Sequence, residues 1–254
     1  MKTNVFHGFI VASILFCASA FAGDKALTVI CDDWPPYQIS QKGKITGFCT
    51  RLVEETMRRM SVRIKPIEMY PWKRAMVMME SGQTDALFSA NFARERVAFA
   101  HYPDEMLVKS PWVVWMRNDG NLSFNSLDDL KNRKIGLVRG YSYTPELWNF
   151  VKKNSHVEEV ADDVTNFRKL NAGRIDFTVA ELGNGLFILK SKRLGAIIPL
   201  KNRPIKEDGL FIIFNKNRIE KSFVDRFSAE LKLLKSEPYY TVLKQEYFPA
   251  QDSR

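Results

Sequence analysis

The sequence predicts an α/β fold, and three observations carry the prediction. Short apolar runs rich in β-branched residues alternate with longer segments whose apolar residues share one helical face. The alternation starts at residue 27 and resumes after a turn-rich break at Asn118-Asp119-Gly120-Asn121, which marks a second unit. The β-α-β-α-β order calls for a mostly parallel sheet covered by helices.

Residues 1–22 precede the fold and have the layout of a secretory signal. Lys2 supplies the positive start, 9–17 the apolar run, and Ala20-Phe21-Ala22 a small-x-small cleavage site before Gly23. The run is shorter than the ~20 apolar residues of a spanning helix, which sets it apart from an uncleaved anchor. Bulky Phe16 before Cys17 argues against a lipoprotein cysteine. Cleavage after Ala22 leaves 254 − 22 = 232 residues, with no later stretch able to span a bilayer.

Leu27, Thr28, Val29, Ile30 and Cys31 form a buried strand, ended by the prolines of Asp32-Asp33-Trp34-Pro35-Pro36-Tyr37. Phe48, Leu52, Val53, Met57 and Met60 stripe a helix over 48–60. A second strand is expected at 63–67. Pro71 suits the first turn of the next helix and Gly82 follows its end. Ala75, Met76, Met78 and Met79 are core filler there, and Trp72 and Arg74 are placed in first-turn packing rather than at a cleft mouth. A third strand covers 85–88. In the second unit, Ser126 and Asp129 frame a helix start and 134–138 is a strand. Thr144-Pro145-Glu146 reads as N-cap, first-turn proline and first-turn acid. A strand at 157–160 leads to a helix striped by Val164, Phe167 and Leu170. Ile175, Phe177 and Val179 then alternate as a strand before a helix over 182–190. In the tail, 210–214 is a strand, and Ile219, Phe223, Phe227, Leu231 and Leu234 recur at helical spacing.

Composition narrows the function. Lys+Arg 38 against Asp+Glu 29 gives +9, with 45% hydrophobic and 26% charged residues, a globular mixture. The basic surplus admits nucleic acid, a membrane surface or anionic small molecules. The cations are dispersed and no helix clusters Arg and Lys, so nucleic acid is not expected as a partner. There is no phosphate loop and no HExxH. Gly183-Asn184-Gly185 lacks the third glycine of a dinucleotide fingerprint, and Gly140-Tyr141-Ser142-Tyr143-Thr144 lacks the last glycine of a nucleophile elbow. Beyond the leader the histidines are His101 and His156, far apart, so neither a metal nor another cofactor is expected. Cys31 and Cys49 form either a disulfide, worth about 3 kcal/mol, or two buried free thiols.

Candidate site residues lie where α/β folds bind ligands, at the carboxyl ends of strands. Trp34 and Tyr37 follow the first strand. Ser89 and Asn91 follow the third, with Arg96 just beyond, and an arginine there can grip a carboxylate with two parallel bonds. Residues 140–144 place backbone N–H groups and hydroxyls at a helix start, a natural anion site. Glu181 stands at a strand-to-helix junction, either as partner to a ligand ammonium or as a carboxylate favoured by the helix dipole.

These segments together resemble the family 3 extracellular solute-binding proteins, type II periplasmic binding proteins that often serve amino-acid ABC transporters. The resemblance spans the mature chain. It rests on 27–37 with its strand and Pro-Pro-aromatic, Gly47-Phe48-Cys49 opening a helix, Pro71-Trp72-Lys73-Arg74-Ala75, the stretch 88–99, Ile135 to Val138 followed by Gly140-Tyr141-Ser142, and Gly173-Arg174-Ile175-Asp176 with Glu181. It implies that Arg96 binds a ligand α-carboxylate, helped by Ser89, Asn91 and Ser142. It also implies that Glu181 binds the α-amino group and that Tyr37, with Trp34, forms an aromatic wall. Asn91, Arg94 and Tyr141 depart from the family pattern, and Tyr141 and Tyr143 narrow the cleft and make it aromatic.

The implied protein has two lobes, 23–115 with 211–254 and 116–210, crossing near 113–118 and 207–212. It is a periplasmic monomer that closes on a small-molecule ligand bridging Arg96 and Glu181. Its partner is an ABC transporter permease or a membrane receptor. The alternatives are a periplasmic enzyme on the same scaffold, of the cyclohexadienyl dehydratase type with Glu181 as general acid, a ligand sensor, or a basic peptidoglycan- or nucleic-acid-associated protein.

Overall fold

The computed structural model describes residues 26–120 and 122–248. The leader read over 1–22, its cleavage site after Ala22 and the last six residues lie outside them. The first part of the chain holds β1 (Val29–Cys31), β2 (Ile39–Gln41), β3 (Lys44–Thr46), α1 (Phe48–Arg59), β4 (Glu68–Met69), α2 (Trp72–Glu80), β5 (Ala86–Asn91), β6 (Ala100–His101) and β7 (Val108–Arg117). The middle holds β8 (Lys134–Val138), α3 (Pro145–Asn154), β9 (His156–Val160), α4 (Asp163–Asn171), β10 (Phe177–Glu181), α5 (Leu182–Lys192) and β11 (Ile197–Pro199). The chain then runs through β12 (Lys206–Asn215), α6 (Lys221–Lys235) and α7 (Pro238–Tyr247).

One sheet runs β4-β1-β5-β12-β7-β10-β8-β9. Its two ends are parallel, with β1 between β4 and β5, and β8 between β10 and β9. The strands that join them, β7 and β12, pair antiparallel. The expected α/β fold is therefore present, as two lobes, each a parallel sheet end with its own helices. β7 pairs β12 over 108–112 and β10 over 112–116. β12 pairs β7 over 206–210 and β5 over 210–214. Both strands thus change partners, at Trp112 and Leu210.

Side chains of β1, β5 and β12 alternate between two cores, as the period of two requires. Ile30, Leu87 and Ile213 meet Ala75 and Met79 of α2. Val29, Phe88 and Phe214 turn the other way, with Phe48, Leu52 and Met57 of α1 and Phe227 and Leu231 of α6. Trp115 of β7 forms a separate cluster with Phe167, Leu170 and Ile188 of the second lobe.

Several elements differ from expectation. The strand read at 63–67 is reduced to a bridge between Leu27 and Ile64, and ladder pairing starts at Glu68. Pro66 has no N–H to donate and interrupts the ladder. The strand read at 85–88 runs on to Asn91, and the one expected to end at Val179 runs to Glu181. β7, the short β2–β3 hairpin and α7 were not anticipated. Ser126 and Asp129 do form a capping box, and the Thr144 hydroxyl does cap α3 at the amide of Leu147.

Candidate functional site

The first-lobe wall is built by two turns. After β1, the chain folds back so that the amide of Tyr37 donates to the carbonyl of Trp34 and that of Trp34 to the carbonyl of Gln38. This buries Trp34, Tyr37 and Gln38 and turns Asp32 inward. On β5, the register passes from Phe211↔Ala90 to Ile212↔Phe88, so Ser89 is an unpaired extra residue with φ 63°. Such a bulge re-aims a side chain. The Ser89 hydroxyl donates to Gln38 Oε1 at 2.7 Å, and Gln38 Nε2 donates to Asp32 Oδ1 at 2.7 Å.

Arg96 lies on the 3-10 turn Arg94–Ala98 and is only 5% exposed. Its Nη1 donates to the Asn91 carbonyl at 2.9 Å, and its guanidinium lies 5.2 Å from the ring centre of Trp72. Its Nη2 donates to Ser142 Oγ at 2.7 Å, across to the second lobe. The Trp72 indole donates to the Gly140 carbonyl at 3.1 Å. From the second lobe, Asp163 Oδ2 accepts from Trp34 Nε1 at 3.2 Å and from the Tyr141 hydroxyl at 3.1 Å. Lys206 Nζ donates to the Ser142 carbonyl at 3.2 Å.

Where these groups meet, nine residues line a small cavity between the lobes. Six of the residues singled out in the sequence line it: Trp34, Ser89, Asn91, Arg96, Tyr141 and Ser142. Three others line it as well. Trp72, expected in first-turn helix packing, instead covers Arg96 with its ring and reaches the Gly140 carbonyl of the other lobe with its indole. Asp32 directly follows the first strand, at the strand end where ligands gather. Trp112 lay in the strand that was not recognised.

Tyr37 and Glu181 stand apart from the cavity lining and meet each other. The Tyr37 hydroxyl donates to Glu181 Oε1 at 2.8 Å, and Glu181 Oε2 caps α5 by accepting from the Asn184 amide at 2.7 Å. Asn184 Nδ2 in turn donates to the Pro35 carbonyl at 2.6 Å. This second interlobe cluster is roofed by Phe248, 5.5 Å from the Tyr37 ring.

Burial raises three carboxyl groups here: Asp32 to about 7, Asp163 to about 6 and Glu181 to about 7. Desolvation is the largest cause in each case, opposed by the hydrogen bonds just described. In the unfolded chain Glu181 loses its proton near 4.5, so between about pH 4.5 and 7 the folded state holds more protons. Stability therefore falls as pH rises through that window. Glu181→Gln, which cannot ionise, is expected to show a smaller drop in melting temperature between pH 5 and 8 than wild type. Parallel melting-temperature profiles for the two proteins would contradict the assignment.

Cys31 and Cys49 are free thiols in the core, the second of the two arrangements left open by their spacing. Burial pushes the Cys49 thiol up to about 12 and Cys31 further. Among the described residues no group of three His, Cys, Asp or Glu side chains is placed to hold a metal ion. Nor is any helix among them long and apolar enough to cross a membrane.

Two α/β lobes joined by a pair of crossing strands, with a cavity of polar and aromatic side chains where they meet, are the architecture of the type II periplasmic binding proteins. The chain belongs to the bacterial extracellular solute-binding proteins, family 3, whose model matches residues 27–250. It is 24% identical over 219 residues to the "Probable histidine-binding protein" of Campylobacter jejuni, covering 85% of this chain and 81% of that one. Among solved structures it resembles a histidine kinase sensor domain with similarity to periplasmic binding proteins, at TM-score 0.76 and 20% identity over 89% of this chain and 96% of that one. It also resembles the substrate-binding protein of an amino acid ABC transporter, at TM-score 0.71 and 22% identity over 88% and 99%. At these identities the structures establish the fold.

Proposed function

We propose that this solute-binding protein captures a small carboxylate-bearing solute, an amino acid or a near relative, between its two lobes and delivers it unchanged to an ABC transporter permease. On this reading residues 1–22 are removed after Ala22 and the mature protein works in the periplasm as a monomer. The lobes are residues 23–115 with 211–254 and residues 116–210. The partner changes of β7 and β12 support a hinge there.

Arg96 carries the reading. A guanidinium keeps its charge at any ordinary pH, and burying it without an anion is costly. Arg96 is buried, lines the cavity and has no ion pair with a carboxylate among the described residues. Its bonds to Asn91 and Ser142 leave further N–H donors of the fork for a ligand carboxylate. Because Ser142 belongs to the other lobe, the same anion would be held from both sides and would favour closure. The binding named for the Campylobacter relative and for the transporter protein supports the same class.

A thermal-shift panel of L-amino acids and small carboxylates tests the proposal. At ~1,000 times its dissociation constant a true ligand adds about 4 kcal/mol, a rise of roughly 10 °C for a chain of this size. Small-angle scattering with that compound should show a smaller radius of gyration. No stabilisation by any member of the panel would remove the solute class proposed here.

A further inference from the structure

We propose that Asp32 of the first lobe, rather than Glu181 of the second, is the partner of the ligand's ammonium group, and that the indole N–H of Trp112 is a further ligand contact. The inference rests on the solute reading above and reassigns the positive end of the ligand.

The two acids differ in what they have left to offer. Glu181 is 1% exposed, does not line the cavity, and has one oxygen on the Tyr37 hydroxyl and the other on the Asn184 amide. A ligand could reach it only by dismantling a helix cap and an interlobe bond. Asp32 lines the same cavity as Arg96, and its bonded neighbour there is the neutral amide of Gln38 on Oδ1. No ion pair with a cation holds it among the described residues. Gln38 is itself fixed by Ser89, so the carboxylate is held in position before any ligand arrives.

The walls beside Asp32 suit a cation. The rings of Trp34, Trp112 and Tyr141 meet pairwise, with centroids 6.1 Å apart for Trp34–Trp112, 6.3 Å for Trp34–Tyr141 and 5.5 Å for Trp112–Tyr141. All three line the cavity. Aromatic faces attract a desolvated ammonium, so acid and rings act together. Trp112 adds a second, independent pointer. It is 3% exposed, and its Nε1 has no hydrogen-bond acceptor among the described residues. A buried N–H of that kind is normally satisfied, and an acceptor atom of the ligand would satisfy it. Trp112 is also where β7 leaves β12 for β10, opposite Lys206 on one side and Glu181 on the other. A contact there couples ligand binding to the hinge strands. With Arg96 and Asp32 on one lobe, the first lobe alone neutralises both ends of a zwitterion. From the second lobe Ser142 and Tyr141 complete the lining, and the Asp163 carboxyl accepts from Trp34 and Tyr141.

The test is calorimetric titration of wild type, Asp32→Asn, Trp112→Phe and Glu181→Gln. The titrants are the most stabilising of the twenty L-amino acids and its des-amino acid. Asn keeps the acceptor for Gln38, and Phe keeps the ring while removing the N–H. Asp32→Asn should weaken the amino acid about 30-fold and bring its affinity close to that of the des-amino acid; Trp112→Phe should cost about 10-fold. Glu181→Gln should stay within about threefold and keep the preference for the amine. Retained preference in Asp32→Asn, or lost preference in a folded Glu181→Gln, overturns the assignment. The second arm decides alone if Asp32→Asn does not fold. If neither an amino acid nor a small carboxylate stabilises wild type, the solute reading itself fails and this inference with it; stabilisation by carboxylates without an amine alone leaves that reading standing and overturns this inference.

Discussion

Replacing Arg96 with alanine is expected to weaken binding of the best ligand by roughly 100- to 1,000-fold, about 3–4 kcal/mol. The loss has two sources. The ligand carboxylate would enter a closed, poorly hydrated cavity with no cation to meet it, and the neighbouring Asp32 would then repel it. Ser142 would also lose the bond that ties it to the first lobe. Folding should not suffer in step, because the substitution removes a buried charge that has no carboxylate partner of its own. A drop in affinity at unchanged melting temperature is therefore the signature, read by calorimetry. Arg96→Lys should recover only part of it, since an ammonium offers a point charge where the fork offers two parallel donors. Affinity within threefold of wild type in the alanine variant would sink the site.

How much of this was legible beforehand depends on how local each signal was. The alternation of apolar runs and striped helices gave the α/β fold because each element carries its own period. β7 carried none. Its middle, Trp112 to Trp115, is an unbroken apolar run that follows Pro111, with no alternation, because both faces are packed: Trp112 and Val114 enter one core and Val113 and Trp115 another. In sequence Trp112 therefore reads as one more core tryptophan. The cavity's first-lobe residues were legible through the rule that ligands gather at strand ends, which pointed to Trp34, Ser89, Asn91 and Arg96. The same rule pointed to Glu181, but nothing local reveals that a tyrosine 144 residues away occupies its carboxylate. Likewise the spacing of Cys31 and Cys49 fits a bridge and a pair of packed thiols equally well.

The largest effect on folding is expected from Gly47→Ala. Gly47 precedes α1 with φ 123° and ψ 170°, a backbone region that is essentially glycine's alone. Any Cβ there would sit 2.5 Å from the Tyr37 carbonyl oxygen and 2.8 Å from Gln38 Cα, both backbone atoms that cannot swing aside. The contact is close because α1 has no side-chain cap. Its first amides, Phe48 and Cys49, donate instead to the carbonyls of Pro36 and Tyr37 at 3.0 and 2.9 Å. An alanine must either hold a forbidden conformation or push the helix start off the turn that carries Trp34, Tyr37 and Gln38. Conformational strain costs about 1–3 kcal/mol, and the broken caps and clash add to it. A total loss of about 4 kcal/mol, or roughly 8–16 °C in melting temperature, is expected. Gly43→Ala is the matched control. It too has positive φ, at 77°, but nothing lies within 4 Å of its would-be Cβ, so strain alone should cost about 1–2 kcal/mol. Equal melting temperatures for the two variants would show that the close approach to Tyr37 is not what demands glycine. If the approach is the cause, the Gly47 variant should also bind ligand less well than its residual folded fraction accounts for. The turn it displaces is the one that holds Asp32 and Ser89 together through Gln38.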